Sequence, residues 1–144
     1  LVSPLVTAVQ LGHSAPEVQS TREFIDECGG QLRVGVSVHS PTEAMSAVRA
    51  GADYLVLGTI YPTSSHPGVE ASGPTNISKT VKRTFGSEVP ILVIGGVDVP
   101  RAREAMSLGA YGVVVKSAVW GAPDSVQAVR ALRGAVDGQL GDIL

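Results

Sequence analysis

The chain has 144 residues, 44% of them hydrophobic, with 11 basic and 13 acidic side chains and a net charge of −2. That length suits one domain with a sizeable core, and a near-neutral charge without a basic run argues against nucleic acid or an anionic membrane surface as partner. A single cysteine excludes an internal disulfide, and no apolar run approaches the ~20 residues of a membrane helix, so the expected setting is cytoplasmic.

The chain opens on Leu1, almost inside an apolar segment, and is expected to be truncated, processed or partly observed. Five apolar, β-branched runs follow: Leu5 to Leu11, Leu32 to Val38, Tyr54 to Ile60, Pro90 to Ile94 and Gly112 to Val115. They are continuously hydrophobic rather than alternating, as parallel strands covered on both faces are. Helical stretches lie between them. Ser14-Ala-Pro-Glu17 and Ser40-Pro-Thr-Glu43 have the capping-box form, with Pro where a missing N–H costs nothing. Asp98-Val-Pro-Arg101 and Gly121-Ala-Pro-Asp124 are expected to open two more helices. Cys28, near an expected helix end, reads as a passive small hydrophobe. Ala50-Gly51 and Leu108-Gly109 each stop a helix and lead directly into a strand. The tail from Gly134 to Leu144 is expected to fray or pack loosely.

This rhythm predicts an α/β fold. The two helix–glycine–strand junctions look alike, which favours repeated βα units of a (β/α)8 TIM barrel over a Rossmann fold. No Gly-x-Gly-x-x-Gly follows the first run, which argues against dinucleotide binding. The whole of 1–144 reads as one TIM-barrel-type domain, a partial barrel of about five βα units with the N-terminal three units absent or supplied by another chain. A homo-oligomer or a partner chain completing the barrel is a further expectation. A five-stranded open sheet with flavodoxin-like winding is the alternative.

Barrel active sites gather at the C-terminal ends of the strands, and the last two loops commonly hold a phosphate. Here those loops begin with Gly95-Gly96 and Lys116-Ser117. The glycines let backbone N–H groups approach an anion, and the lysine and serine add a cation and a hydroxyl. The same end carries Gln10, His13, Ser37, His39, Ser40 and Thr59. The loop Gly58 to Gly68 adds hydroxyls at Thr63, Ser64 and Ser65 and an imidazole at His66. A small phosphorylated substrate is the predicted ligand. His39 and His66 are the candidate acid/base groups.

These residues resemble the thiamine-phosphate synthase/TenI family. Val9-Gln-Leu-Gly12 resembles its fourth strand and Gly35-Val-Ser-Val-His-Ser40 its fifth. Ala52-Asp-Tyr-Leu-Val-Leu-Gly58 with Tyr61-Pro-Thr63 resembles the sixth. Ile94-Gly-Gly-Val97 and Gly112-Val-Val-Val-Lys-Ser-Ala118 resemble the seventh and eighth. The resemblance implies a role in thiamine biosynthesis. In the synthase branch a thiazole phosphate displaces diphosphate from a pyrimidinylmethyl diphosphate, with Mg²⁺ as the implied cofactor; the residues themselves call for none. Ser37 and the loop around Thr63 would then touch the diphosphate, and Gly95, Gly96, Lys116 and Ser117 the thiazole's phosphate. The branch's metal-binding acid falls on Ala15 and its loop lysine on His66, and no metal ligand is assigned in this chain.

In the TenI branch a carboxythiazole phosphate is aromatised by moving a proton, and the family's histidine falls on Thr59. The Ser-Ser-His-Pro-Gly68 form of the loop looks TenI-like, and that isomerase reading is preferred over the synthase. A non-catalytic homologue that binds a phosphorylated pathway ligand for regulation is the alternative.

Overall fold

A computed structural model describes residues 6–65 and 67–140, of which 139 and 140 are described by backbone alone. Leu5, His66 and the last four residues of the tail lie outside the described residues. The order is β1 (Ala8–Leu11), α1 (Val18–Glu27), β2 (Arg33–Val38), α2 (Pro41–Arg49), β3 (Tyr54–Leu57), α3 (Thr75–Arg83), β4 (Ile91–Ile94), α4 (Val99–Ser107), β5 (Gly112–Val114), α5 (Ser117–Trp120) and α6 (Ser125–Leu140).

The strands form one parallel sheet in the order β1-β2-β3-β4-β5. Sequential winding is what a barrel wall requires, and it overturns the flavodoxin-like alternative, whose strand order reverses at a switch point. Register explains the two faces of the wall. Val38 pairs with Leu57, Leu55 with Ile91 and Leu57 with Val93, and these side chains share one core with Ala44, Ala47, Ile77, Ala102, Ala105 and Leu132 of the helices. The other face carries Ser37, Val56, Leu92, Ile94 and Val114 in mutual register, and all of them are half-buried. Among the described residues only the helix side is covered. The continuous apolar runs therefore mark a second face that is apolar without being sealed here.

Helix ends follow the local chemistry, with three corrections. Ser40 caps α2 and accepts the Glu43 N–H at 3.2 Å, while the Glu43 carboxylate accepts the His39 N–H at 2.9 Å. Asp98 caps α4 through the Arg101 N–H at 2.9 Å. Ser14 caps nothing, because α1 begins at Val18 with no side-chain cap. Asp124, not Gly121, receives the first-turn N–H of α6, from Gln127 at 2.9 Å; the short α5 occupies the expected loop. Residues 134–140 are helical rather than frayed, because Leu132, Ala135 and Val136 fall on one face and join the core, with Ala135 only 1% exposed. Cys28 is the C-cap of α1, at a helix end as expected, and it is exposed. No helix among the described residues is long and apolar enough to cross a membrane.

At the N-terminal end of the strands, the Asp53 carboxylate accepts the Val34 N–H at 2.6 Å and pairs with Arg22 at 2.8 Å. The Arg22 guanidinium also donates to the Gly51 carbonyl. These bonds tie α1 and the turn before β3 to the start of β2. The opposite end carries the site.

Candidate functional site

Parallel strands all release their loops at one end. Because Ile94 pairs with Val114, the chain leaves β4 at Gly95-Gly96 beside the point where it leaves β5 at Val115-Lys116. Gly95 has φ +98° and Gly96 φ +62°, a region where a Cβ collides with the backbone. Space is equally restrictive. A Cβ on Gly95 would stand 2.6 Å from Thr59 Cγ2, and one on Gly96 would stand 2.4 Å from the Pro62 carbonyl oxygen. The β3 and β4 loops are therefore packed backbone to backbone.

Hydrogen bonds join the same loops. Ile60 N–H donates to Ile94 O at 3.1 Å and Tyr61 N–H to Gly95 O at 3.0 Å. Arg101 Nη1 donates to Gly96 O at 2.7 Å. The N–H groups of Gly96, Val97 and Ser117 donate to no partner among the described residues. Unpaired amides at adjacent strand ends are what an anion needs. Lys116 and Ser117 are exposed beside them, at the start of α5.

Ser37 faces the open side of the sheet and its Oγ accepts from Gln10 Nε2 at 3.0 Å. The serine hydrogen is thus left to donate to a ligand. Thr59 packs its side chain against Gly95, and its carbonyl accepts from Ser72 N–H at 2.9 Å and Ser72 Oγ at 3.1 Å. Thr63 Oγ1 accepts the Ser65 N–H at 3.2 Å, so these two hydroxyl residues form a closed turn. His39 is engaged on the first turn of α2: its Nδ1 lies 3.1 Å from Glu43 Oε2 and its side chain is 59% exposed. Burial pushes the Glu43 carboxyl up, but the His39 N–H, the His39 ring and the Ser40 hydroxyl outweigh it and leave the pKa below its ordinary value.

Three supporting groups were not singled out by the sequence. Buried Asn76 donates to the His39 carbonyl at 3.0 Å and to Ser72 Oγ at 3.1 Å, fixing two loop segments. Tyr61 is buried and its hydroxyl donates to Glu104 Oε2 at 2.8 Å; burial and that carboxylate hold the phenol well above the ordinary tyrosine range. Arg101 lies over the Tyr61 ring, 5.1 Å from its centroid. Asn76 carried one legible signal, a buried-face position on an otherwise amphipathic helix.

No group of three His, Cys, Asp or Glu side chains among the described residues is close enough to hold a metal ion. With Ala15 where the resemblance places an acid, the described residues do not fit a Mg²⁺ site.

A profile of the family described as thiamine monophosphate synthase matches residues 5–119. The thiamine-phosphate synthase of Geobacillus kaustophilus is 42% identical over 129 residues, covering 89% of this chain and 56% of that protein. The one from Pyrococcus furiosus is 35% identical over 133 residues, covering 92% and 61%. The solved thiamine phosphate pyrophosphorylase from Pyrococcus furiosus superposes with a TM-score of 0.79 at 34% identity, over 92% of this chain and 60% of that one. A 3-hexulose-6-phosphate synthase from Salmonella typhimurium shares the fold alone, with a TM-score of 0.72 at 20% identity. The chain thus spans 56% to 61% of the length of these two curated relatives.

Proposed function

This chain belongs to the thiamine monophosphate synthase family, and from that premise we propose that it carries the phosphate-binding half of a thiamine-biosynthesis enzyme. The observation that carries the reading is the set of amides at Gly96, Val97 and Ser117 that have no partner among the described residues, on adjacent strand ends beside Lys116. Gly95, Gly96, Lys116 and Ser117 seat the phosphate of a thiazole phosphate. Ser37 donates to a second anionic group, and Thr63 and Ser65 line the same mouth from the β3 loop. Residues 1–144 act as one portion of a TIM-barrel domain, and the reaction is that of the full-length protein.

The reaction we favour is transfer, as the names of the relatives suggest. The thiazole nitrogen uses its lone pair to form a C–N bond to the pyrimidinylmethyl carbon. The C–O bond to diphosphate breaks, and diphosphate leaves with that electron pair. The charge developing on the leaving group has to be matched by positioned donors, and Ser37 is this chain's clearest one.

A second reading is the TenI-like aromatisation of a carboxythiazole phosphate, in which an imidazole moves the proton. It is favoured by His39, an exposed imidazole at the active end already oriented by Glu43, with His66 following in the β3 loop. Thr59 cannot supply that proton transfer at neutral pH.

One experiment separates them. The full-length protein is given the thiazole phosphate with the pyrimidinylmethyl diphosphate, and in parallel the carboxythiazole phosphate, and products are followed by chromatography. Thiamine phosphate with released diphosphate supports transfer. An aromatised thiazole that disappears in His39→Asn or His66→Asn supports the isomerase. Binding without either product leaves the regulatory, non-catalytic homologue.

A further inference from the structure

Arg101, one of the supporting groups, lies on α4 and touches both the β3 loop and the β4 loop that carries Gly95-Gly96. Its Nη1 donates to Gly96 O at 2.7 Å, its guanidinium lies 5.1 Å from the Tyr61 ring centroid, and its Nε stands 4.0 Å from Asp98 Oδ2. Tyr61 is itself held, buried and donating to Glu104 Oε2 at 2.8 Å, one turn further along the same helix. Two contacts, with the Tyr61 ring and the Asp98 carboxylate, thus orient the arginine toward the loop.

A peptide unit is planar and trans, so its carbonyl and its N–H point in opposite directions. Holding Gly96 O therefore decides where the Val97 N–H points. Likewise the Tyr61 N–H, by holding Gly95 O at 3.0 Å, decides where the Gly96 N–H points. Each held carbonyl turns the N–H of its own peptide unit away from its donor, so the Gly96 N–H points away from the Tyr61 amide and the Val97 N–H away from Arg101. Glycine alone would not hold this form, because a Gly-Gly segment can rotate its peptide planes at little cost. A rotated plane would present a carbonyl oxygen to the anion and repel it. The cationic donor also polarises the Gly96–Val97 peptide, which makes its N–H a better donor.

We propose that Arg101 is a positioning residue for the phosphate cradle: supported by Tyr61 and Glu104, it holds the Gly96 carbonyl so that the Val97 N–H faces the anion. The proposal rests on the phosphate reading of the Gly95–Gly96 loop. It also makes the β3 loop and the cradle one mechanical unit, since Tyr61 belongs to the first and Arg101 grips the second.

The test titrates inorganic phosphate into the full-length protein and into Arg101→Met and Arg101→Lys, following backbone amides by NMR and affinity by calorimetry, with Tm measured for each. The expected result is a phosphate-induced shift at the Gly96 and Val97 amides of the parent. In Arg101→Met the affinity falls by about ten-fold or more at temperatures well below its Tm, and the Val97 shift is lost. Arg101→Lys, which keeps one cationic donor, recovers part of the affinity. If Arg101→Met does not fold, the lysine variant decides, because an affinity equal to the parent's with an unchanged Val97 shift overturns the proposal. Met and parent binding equally, whatever their Tm values, overturns it too and leaves the phosphate reading standing. A parent whose Gly96 and Val97 amides ignore phosphate overturns both.

Discussion

A Cβ on Gly96 would stand 2.4 Å from the Pro62 carbonyl oxygen. The β4 loop can therefore carry no side chain at this point without parting from the β3 loop, and its φ of +62° adds to the cost. Gly96→Ala is expected to cost about 1–3 kcal/mol of stability and to remove phosphate binding. Urea denaturation and calorimetry check the two effects. Parent-like phosphate affinity in folded Gly96→Ala would show that the loop does not hold the anion.

Ser37 and Gln10 act as a pair on the open face of the sheet. Because Gln10 Nε2 occupies the serine's acceptor side at 3.0 Å, the hydroxyl hydrogen is free for a ligand. Ser37→Ala should weaken inorganic diphosphate binding by about ten-fold, the worth of one hydrogen bond to a charged group, while Tm stays nearly constant. A Tm loss with unchanged diphosphate affinity would make Ser37 a structural residue.

Asp53 separates stability from function, because it sits at the opposite end of the strands. Asp53→Ala leaves the Val34 N–H without its 2.6 Å acceptor and Arg22 without its ion pair. The expected loss is about 1–2 kcal/mol, mostly from the backbone donor, since the Arg22 pair is partly exposed. Ligand affinity should not move. A change in affinity at constant stability would mean that the two ends of the wall are coupled.

The Glu43 carboxyl has a folded pKa below its ordinary 4.5. A depressed acid contributes stability that is present above the unfolded value and is lost as pH falls through the folded one. The His39–Glu43–Ser40 cluster should therefore weaken on acidification below about 4.5, and Glu43→Gln should reduce that part of the Tm loss. Equal acid slopes in the two proteins would contradict the assignment.

The strands, the αL helix stops and two of the caps were legible because each rests on short-range chemistry: β-branched runs, Ser40 with Glu43, and Asp98 with the Arg101 N–H. The strand-end rule also puts Gly95, Gly96, Lys116 and Ser117 just past two strand ends, and β4 and β5 do end side by side there. What was not legible depends on contacts distant in the chain. Arg101 is legible only as part of the Asp98-Val-Pro-Arg101 helix start, and only the fold brings it to Gly96 O and the Tyr61 ring. Ser14 looked like a cap, yet the chain runs on to Val18 before turning. Gly134 looked like the start of a loose tail, but Leu132 and Ala135 bury enough apolar surface to carry the helix through it.

The central claim is that this chain recognises a phosphate through the backbone of its last two loops. Calorimetry on the full-length protein, comparing the thiazole phosphate with the same thiazole bearing a free hydroxyl, tests it most directly. Two or more charge-assisted amide bonds should make the phosphorylated form bind about 100-fold more tightly or better. That difference should collapse in Gly96→Ala. Equal affinity for the two thiazoles, or a preference that survives Gly96→Ala, would contradict the account.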